Sequence, residues 1–118
     1  MRVPQILVVD DFELILDAIE LVLNRKGYQP DFAQSGQEAW DRFREHPYAL
    51  VVTDIVMPGL DGIELIRRIK SDFPETRIIA MTGYGLRYLV EARDAGADFL
   101  LSKPFTAEKI FQTIDTCG

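Results

Sequence analysis

The sequence predicts an α/β fold built on a parallel sheet, and two observations carry this prediction. Short apolar runs, which are typical of strands buried on both faces, alternate along the chain with segments of helical period. The helical segments are about 10–15 residues long, which is typical of the helices that connect neighbouring parallel strands. Right-handed crossovers then place helices on both faces of the sheet.

Strands and helices are predicted in strict alternation along the chain. The predicted strands are Gln5–Val9, Gln29–Ala33, Leu50–Thr53, Arg77–Met81 and Asp98–Leu101. The predicted helices are Phe12–Lys26, Gly36–Glu45, Gly62–Asp72, Tyr84–Ala95 and Thr106–Thr116. Gly27 and Gly96 are predicted to stop the first and fourth helices, and Ser35 and Thr106 are predicted to cap the second and fifth.

Length and composition restrict the classes of protein that fit. The 118 residues suit one domain, predicted to span residues 1–118, and 47% of them are hydrophobic, which is enough for a core. The net charge of -6 argues against direct nucleic-acid binding, which needs clustered Lys and Arg. No segment is predicted to span a membrane or to act as a signal peptide. The single cysteine, Cys117, fits a reducing compartment, so we expect a cytoplasmic protein.

The first predicted helix carries a wider apolar arc than one face of a sheet covers. At ~100° per residue the arc is about 220° wide. Ile15, Ile19 and Val22 lie near its centre and are predicted to face the sheet. Leu14 and Leu21 lie at one edge and are predicted to be exposed. Two interpretations stay open for these leucines, because they are either scattered surface residues or part of a docking stripe for a partner helix.

Charged side chains follow the apolar runs of three predicted strands. Asp10 and Asp11 follow the first run, Asp54 the third and Lys103 the fifth. Because function in open α/β sheets lies outside the carboxyl ends of the strands, these groups are expected to share a crevice. Taken alone, the aspartates also fit helix caps or a turn. Brought together they would repel one another, and a divalent cation such as Mg²⁺, which prefers oxygen ligands and binds phosphates, would relieve that repulsion.

Thr82 follows the fourth predicted strand and adds a hydroxyl group to the same edge. Lysine binds phosphate as a point charge, and a threonine hydroxyl donates to a phosphoryl oxygen. Transfer of a phosphoryl group to an aspartate requires a metal site, a carboxylate nucleophile, a hydroxyl group and a cation, and these residues together supply all four. Pro104 is expected to fix the turn that directs Lys103, and a cis bond would suit that turn.

In this order and spacing, the residues resemble the receiver domain of bacterial two-component response regulators. The resemblance runs from Ile6–Asp11 through Asp54–Gly62 and Thr82–Gly83 to Lys103–Phe105. It implies a flavodoxin-like, doubly wound (βα)5 fold with a five-stranded parallel sheet in the order 2-1-3-4-5. It also implies a phosphoprotein of a phosphorelay, which catalyses its own phosphorylation but is not counted as an enzyme.

The resemblance implies a role for each residue at the predicted crevice. Asp54 would be the phosphoacceptor, Lys103 would pair with Asp54 or its phosphate, and Thr82 would be the switch hydroxyl. The implied metal ligands are Asp11, Asp54 and the backbone carbonyl of Val56, with Asp10 acting through a water.

The expected partner is a sensor histidine kinase or a phosphotransfer protein. Its helical bundle is predicted to pack on the first helix, whose N-terminal end lies beside Asp11. The loop after Lys103 would close the other side. The predicted docking residues are Leu14, Ala18, Leu21, Pro104 and Phe105.

The chain departs from the family pattern at two places. Leu100 stands three residues before the lysine, where most receivers carry Tyr or Phe, and Phe99 is predicted to face the other side of the strand. The segment Thr82–Gly96 is slightly shorter than the commoner pattern. Because of Leu100, a second interpretation stays open, in which the chain is a degenerate receiver that acts as a phosphorylation-independent interaction module.

Two further alternatives fit the residues less well. An aspartate-nucleophile phosphatase would carry a second acid two residues after its nucleophile, but Val56 follows Asp54 there and Phe12 follows Asp10. A flavin-binding protein of similar topology needs a loop rich in Gly, Ser or Thr after the first strand. This chain has Asp10–Glu13 there, which would repel a phosphate in the absence of a metal.

Overall fold

The backbone confirms the predicted alternation of strands and helices. The computed structural model describes residues 5–83, 85–103 and 106–117. Its strands are β1 (Ile6–Val9), β2 (Asp31–Ala33), β3 (Leu50–Asp54), β4 (Arg77–Thr82) and β5 (Phe99–Ser102). Its helices are α1 (Glu13–Arg25), α2 (Gly36–Glu45), α3 (Gly62–Asp72), α4 (Leu86–Ala95) and α5 (Ala107–Cys117).

The strands form one parallel sheet in the predicted order β2-β1-β3-β4-β5. The chain therefore places β2 on one side of β1 and β3 on the other side. The order of the strands reverses between β1 and β3, which is the switch point of the sheet. Val9 pairs with Thr53, and Asp54 pairs with Met81. The carboxyl ends of these strands are consequently level, and in such sheets a ligand site forms outside them at the switch point.

Helices cover both faces of the sheet and bury two apolar clusters. Because successive strand residues point to opposite faces, Val51 packs in the cluster beneath α2 and α3, and Val52 packs in the cluster beneath α1 and α5. Phe43 of α2 and Leu23 of α1 are fully buried in these two clusters. Fully buried strands explain why the sequence shows continuous apolar runs rather than an alternating pattern.

Six of the ten strand ends differ from the prediction by one or two residues, including the start of β1 and both ends of β5. β3 and β4 each extend by one residue and end at Asp54 and Thr82, because both residues still pair with their neighbouring strands. β2 begins at Asp31 rather than Gln29. The functional side chains of Asp54 and Thr82 therefore belong to the strands, and regular backbone geometry fixes their direction.

The predicted caps and stops are present. The Ser35 hydroxyl accepts a hydrogen bond from the Glu38 N–H at 3.1 Å, and the Thr106 hydroxyl accepts one from the Lys109 N–H at 3.1 Å. Gly96 directly follows α4 with a φ of 121°, which is a conformation that favours glycine. α4 begins at Leu86, and residue 84, where its start was predicted, lies outside the described residues.

The buried face of α1 is rotated relative to the prediction. Ile19 is buried as predicted, but the residues beside it on that face are Leu16 and Leu23. Ile15 and Val22, predicted to face the sheet, are only half-buried. The prediction was wrong for Val22, whereas Ile15, although only half-buried, packs against the cluster beneath α1 and α5. α1 packs against α5 as well as against the sheet, and the broad apolar arc did not reveal that second contact.

The exposed edge of α1 agrees with the prediction. The side chains of Leu14 and Leu21 are 67% and 54% exposed, and Ala18 between them is also exposed. Across the described ranges, none of the helices has the length and apolar character needed to cross a membrane.

Candidate functional site

Three carboxylates meet at the switch point of the sheet. Asp10 follows β1, Asp11 comes next in the chain, and Asp54 is the last residue of β3. One carboxylate oxygen of each residue lies within 4.8 Å of the others. Asp10 and Asp54 are 0% and 5% exposed, whereas Asp11 is open to solvent. The arrangement is an acidic pocket with two buried walls and one accessible side.

The side chain of Asp10 has two neighbours that fix its direction. One of its oxygens accepts a hydrogen bond from the Phe12 N–H at 2.9 Å, at the start of α1. Its other oxygen lies 3.4 Å from the Lys103 ammonium. Phe12 is the N-cap of α1 and has no capping side chain; Asp10 accepts from the N–H of Phe12 itself, one of the amides at a helix start that have no partner within the helix. The interpretation of Asp10 as a helix cap is therefore wrong, although its carboxylate supports the start of α1 from within the acidic pocket.

Asp54 points into the pocket from the end of β3. Its Oδ1 accepts a hydrogen bond from the Ile55 N–H at 2.9 Å, and its Oδ2 lies 3.5 Å from the Lys103 Nζ. Gly62 approaches its backbone closely, since a Cβ built on Gly62 would overlap the Asp54 carbonyl oxygen. The carboxylate is thereby held at one oxygen, and the other faces the ammonium group.

Lys103 is positioned from the neighbouring strands. Its backbone N–H donates to the Thr82 carbonyl at 2.7 Å, which ties the end of β5 to the end of β4. Its partly buried ammonium lies 3.4 Å from Asp10 and 3.5 Å from Asp54. One cation is thus shared between two buried anions, and the pocket keeps an excess of negative charge.

Burial raises the pKa of both buried acids. Desolvation, followed by the charge of Asp10, raises the pKa of Asp54 from 3.8 to about 6, against the opposing effects of Lys103 and the Ile55 N–H. Desolvation also raises the pKa of Asp10, opposed by the Phe12 N–H and Lys103. Lys103 alone therefore does not offset the loss of hydration, and an additional cation would be strongly attracted to this pocket.

Thr82 and Leu100 lie on the same face of the sheet. Thr82 is buried at the end of β4, and Ala80, two residues earlier, pairs with Leu100 of β5. Because paired residues share a face and alternate residues return to it, Leu100 stands on the side of the Thr82 side chain. Phe99 packs on the other face of the sheet, against the cluster beneath α1 and α5, as predicted. Leu100 is 37% exposed.

The remaining predicted site residues are placed only in part. Val56 is half-buried in the loop between β3 and α3. Pro104 and Phe105, and the predicted cis bond before Pro104, lie outside the described residues. In the segment Thr82–Gly96, Gly85 has a φ of 104° and precedes α4 directly.

Sequence reasoning missed three residues that shape the loop after Asp54. Asp61 caps α3 by accepting a hydrogen bond from the Glu64 N–H at 2.9 Å, and the spacing of this pair fits the capping-box pattern. Gly36 and Gly62 approach backbone atoms of the loop and of β3. The sequence carries no local signal for these two contacts, because they join segments that are distant along the chain.

Residues 6–115 match the family described as the response regulator receiver domain. The chain belongs to this family. The match covers β1 through most of α5, and so includes every strand that contributes to the acidic pocket. The sheet order and the acidic pocket are those expected of a receiver.

Individual relatives agree with this assignment. Sporulation initiation phosphotransferase F of Bacillus subtilis is 37% identical over 111 residues, which are 93% of this chain and 90% of that protein. The receiver domain protein of Methanospirillum hungatei JF-1, described as CheY-like, superposes with a TM-score of 0.91 at 29% identity, covering 98% of this chain and 93% of that one.

Other curated relatives are longer than this chain. Response regulator GtcR of Aneurinibacillus migulanus is 36% identical over 100 residues, which are 85% of this chain but 41% of that protein. The chain therefore spans about half the length, or less, of the first curated relatives that it matches.

Proposed function

We propose that this chain is the phosphoacceptor of a two-component system, in which Asp54 takes a phosphoryl group in a Mg²⁺-dependent reaction. The donor would be a sensor histidine kinase or a phosphotransfer protein. The observation that carries the proposal is the juxtaposition at the switch point, where Lys103 lies 3.5 Å from Asp54 and two further carboxylates complete the pocket. Membership of the receiver family supports it.

The donor set suits magnesium. Carboxylate oxygens on Asp10, Asp11 and Asp54 lie close enough together to share one ion, and they are the hard oxygen ligands that Mg²⁺ prefers. The Val56 carbonyl, two residues after Asp54, is proposed as a further ligand. When bound, Mg²⁺ would neutralise negative charge on the transferring phosphoryl group.

The residues of this chain would then perform the transfer in one displacement. A carboxylate oxygen of Asp54 forms a bond to phosphorus as the bond between phosphorus and the donor imidazole nitrogen breaks, and the nitrogen keeps the electron pair. The ammonium of Lys103, already within 3.5 Å of Asp54, stabilises a phosphoryl oxygen. The Thr82 hydroxyl, at the end of the adjacent strand, is proposed to donate to another oxygen after transfer.

The chain is proposed to act as a phosphorylated signalling component and not as an enzyme with a released product. Its signal would be a conformational change that an output partner or a fused effector domain recognises. Proteins that carry only the receiver and longer regulators both occur among the relatives.

Incubation with acetyl phosphate and Mg²⁺, followed by intact mass measurement, tests the proposal. The expected result is a mass gain of one phosphoryl group per chain, and its loss when EDTA replaces Mg²⁺. The absence of any gain, under conditions that label a well-behaved receiver, would instead favour the phosphorylation-independent interaction module.

Magnesium affinity is expected to depend more on Asp11 and Asp54 than on Asp10. This order is the one that the resemblance to receivers implies, in which Asp11 and Asp54 contact the ion directly and Asp10, which is 0% exposed, contacts it through a water. We expect Asp10→Asn to weaken binding by about 10- to 100-fold, as for outer-shell groups, and Asp11→Asn or Asp54→Asn to weaken it more. Calorimetric titration with Mg²⁺ measures the order, and a largest loss at Asp10 would reverse the assignment.

Lys103→Ala is expected to keep the fold but to uncouple phosphorylation from the conformational change. The substitution removes the ammonium that would hold the phosphoryl oxygen, while the apolar clusters stay unchanged. Amide chemical shifts before and after acetyl phosphate treatment measure the coupling, with the exposed Lys109→Ala as a control of equal charge change. If phosphorylated Lys103→Ala shows the same shift changes as the parent, Lys103 has no coupling role.

A further inference from the structure

The loop between β3 and α3, residues 55–61, is fixed at its base and on one side. At its base the Gly62 N–H donates to the Ile55 carbonyl at 2.8 Å, and the Ile55 N–H donates to the Met81 carbonyl at 2.9 Å. Met57 is buried, and Leu60 packs partly into the cluster beneath α2 and α3. This loop contains Val56, whose carbonyl is proposed as a metal ligand.

The loop passes directly against the first residue of α2. A Cβ built on Gly36 would overlap the carbonyl oxygen of Leu60, and it would lie 2.9 Å from the carbonyl carbon and 3.2 Å from the Cβ of the same residue. Most of these are backbone atoms, which cannot turn aside as a flexible side chain can. The φ of Gly36 is not positive, so its backbone conformation would accept any residue. Glycine is required here because of the close approach to Leu60.

α2 is held more firmly than the loop. Ser35 caps the helix through its hydroxyl, and its carbonyl accepts a hydrogen bond from the Ala39 N–H at 3.0 Å. Ala39 and Phe43 on the same helix are fully buried. In contrast, Pro58 and Gly59 at the tip of the loop are exposed. A side chain at position 36 would therefore displace the loop and leave the helix in place.

We propose that Gly36 is a positioning residue for the acidic pocket: because it lacks a side chain, the loop lies against α2, and this sets where the Val56 carbonyl stands beside Asp54. This inference rests on the proposed function, since it concerns the proposed magnesium ligand. Gly36 itself touches neither the metal nor the phosphoryl group.

The test compares Gly36→Ala with the parent protein. Calorimetric titration is expected to show that the dissociation constant for Mg²⁺ rises by about tenfold, the lower end of effects seen for groups that orient metal ligands. Labelling by acetyl phosphate is expected to be slower at low Mg²⁺ and to approach the parental rate at saturating Mg²⁺. In the metal-free protein, exchange of the Gly62 amide hydrogen is expected to be faster. This amide donates to the Ile55 carbonyl at the base of the loop, and displacement of the loop weakens that hydrogen bond.

Gln37→Gly is the matched control. It weakens the same turn of α2 by about 1 kcal/mol but places no atom against Leu60. A tenfold weaker Mg²⁺ affinity in this control would attribute the effect to helix stability and overturn the inference. Leu60→Ala is a second variant, which loosens the loop without a clash and is expected to weaken Mg²⁺ binding in the same direction but less.

The outcomes separate the two proposals. If the parent binds Mg²⁺ and is labelled, but Gly36→Ala and Leu60→Ala bind Mg²⁺ as the parent does, Gly36 has no positioning role and the proposed function stands. If the parent neither binds Mg²⁺ nor gains a phosphoryl group, the proposed function fails and this inference fails with it. Should Gly36→Ala not fold, the titration of Leu60→Ala decides.

Discussion

Asp54→Asn is expected to abolish phosphoryl labelling and, at the same time, to make the metal-free protein more stable. The asparagine amide cannot act as the nucleophile, so the mass gain from acetyl phosphate should disappear completely. It also removes a buried negative charge that stands beside Asp10, while an amide oxygen can still accept the hydrogen bond from the Ile55 N–H. Intact mass and thermal or urea unfolding measure the two effects.

The gain in stability is expected to depend on pH. The pKa of Asp54 is raised from 3.8 to about 6 by the fold, so the folded state binds the proton more tightly than the unfolded chain does. The ionised carboxylate therefore destabilises the fold fully above about pH 6, and the effect fades as the pH falls to about 4. At about 1.4 kcal/mol per unit, the difference between Asp54→Asn and the parent is about 3 kcal/mol at most above pH 7.

Two controls distinguish this effect from a general change of charge. Asp115→Asn removes the same charge from an exposed position on α5 and is expected to change the free energy of unfolding by less than about 0.5 kcal/mol. Saturating Mg²⁺ should stabilise the parent more than Asp54→Asn. Full labelling of Asp54→Asn on another residue would refute the phosphoacceptor assignment, and an Asp54→Asn protein less stable than the parent at pH 7.5 would refute the electrostatic argument.

Leu14→Arg or Ala18→Arg is expected to slow phosphotransfer from the kinase by about 30-fold or more, while labelling by acetyl phosphate stays unchanged. The first effect follows if these residues lie at the centre of the docking surface, where a buried charge costs about 2 kcal/mol or more. The second follows because both residues are exposed on α1 and lie outside the pocket. Rates are measured with a sensor kinase that phosphorylates the parent and, separately, with the small donor.

Leu86→Arg is the matched control for this surface. Leu86 is 74% exposed on α4, so the substitution adds the same side chain to a different face of the molecule. Transfer from the kinase to Leu86→Arg should proceed at the parental rate. Equal slowing of both donors by Leu14→Arg would mean that Leu14 serves the fold, and the proposal of docking on α1 would be lost.

The sheet was predictable because its strands are buried on both faces. The run Ile6–Val9 is entirely apolar, and the run Leu50–Thr53 is apolar up to its last residue. The helical segments between the runs are long enough to connect neighbouring parallel strands. The strand ends were predicted less well, since Asp54 and Thr82 are polar and yet continue the hydrogen-bonded ladder. Because the two residues are polar, the sequence indicated that they are functional, but for the same reason they were not assigned to the strands.

Contacts between distant segments were not predictable from local patterns. The contact of α1 with α5 determines which face of α1 is buried. The buried residues beside Ile19 are therefore Leu16 and Leu23, and Ile15 and Val22 are only half-buried. The acidic pocket itself could be anticipated, because parallel strands bring their carboxyl ends to one edge. The boundary of the pocket could not be anticipated, because it depends on the approach of Gly36, at the start of α2, to Leu60 in the loop before α3.

The separation of the two faces of α1 has an evolutionary consequence. Leu16, Ile19 and Leu23 hold the helix in the core, and the truncation of such residues typically costs about 2–5 kcal/mol. Substitutions at the exposed Leu14 and Leu21 change stability by only about 0.5 kcal/mol. If α1 docks the kinase as proposed, two copies of this chain that arise by gene duplication can diverge in the partners they recognise while keeping one core and one acidic pocket, and they can lose crosstalk without a loss of folding.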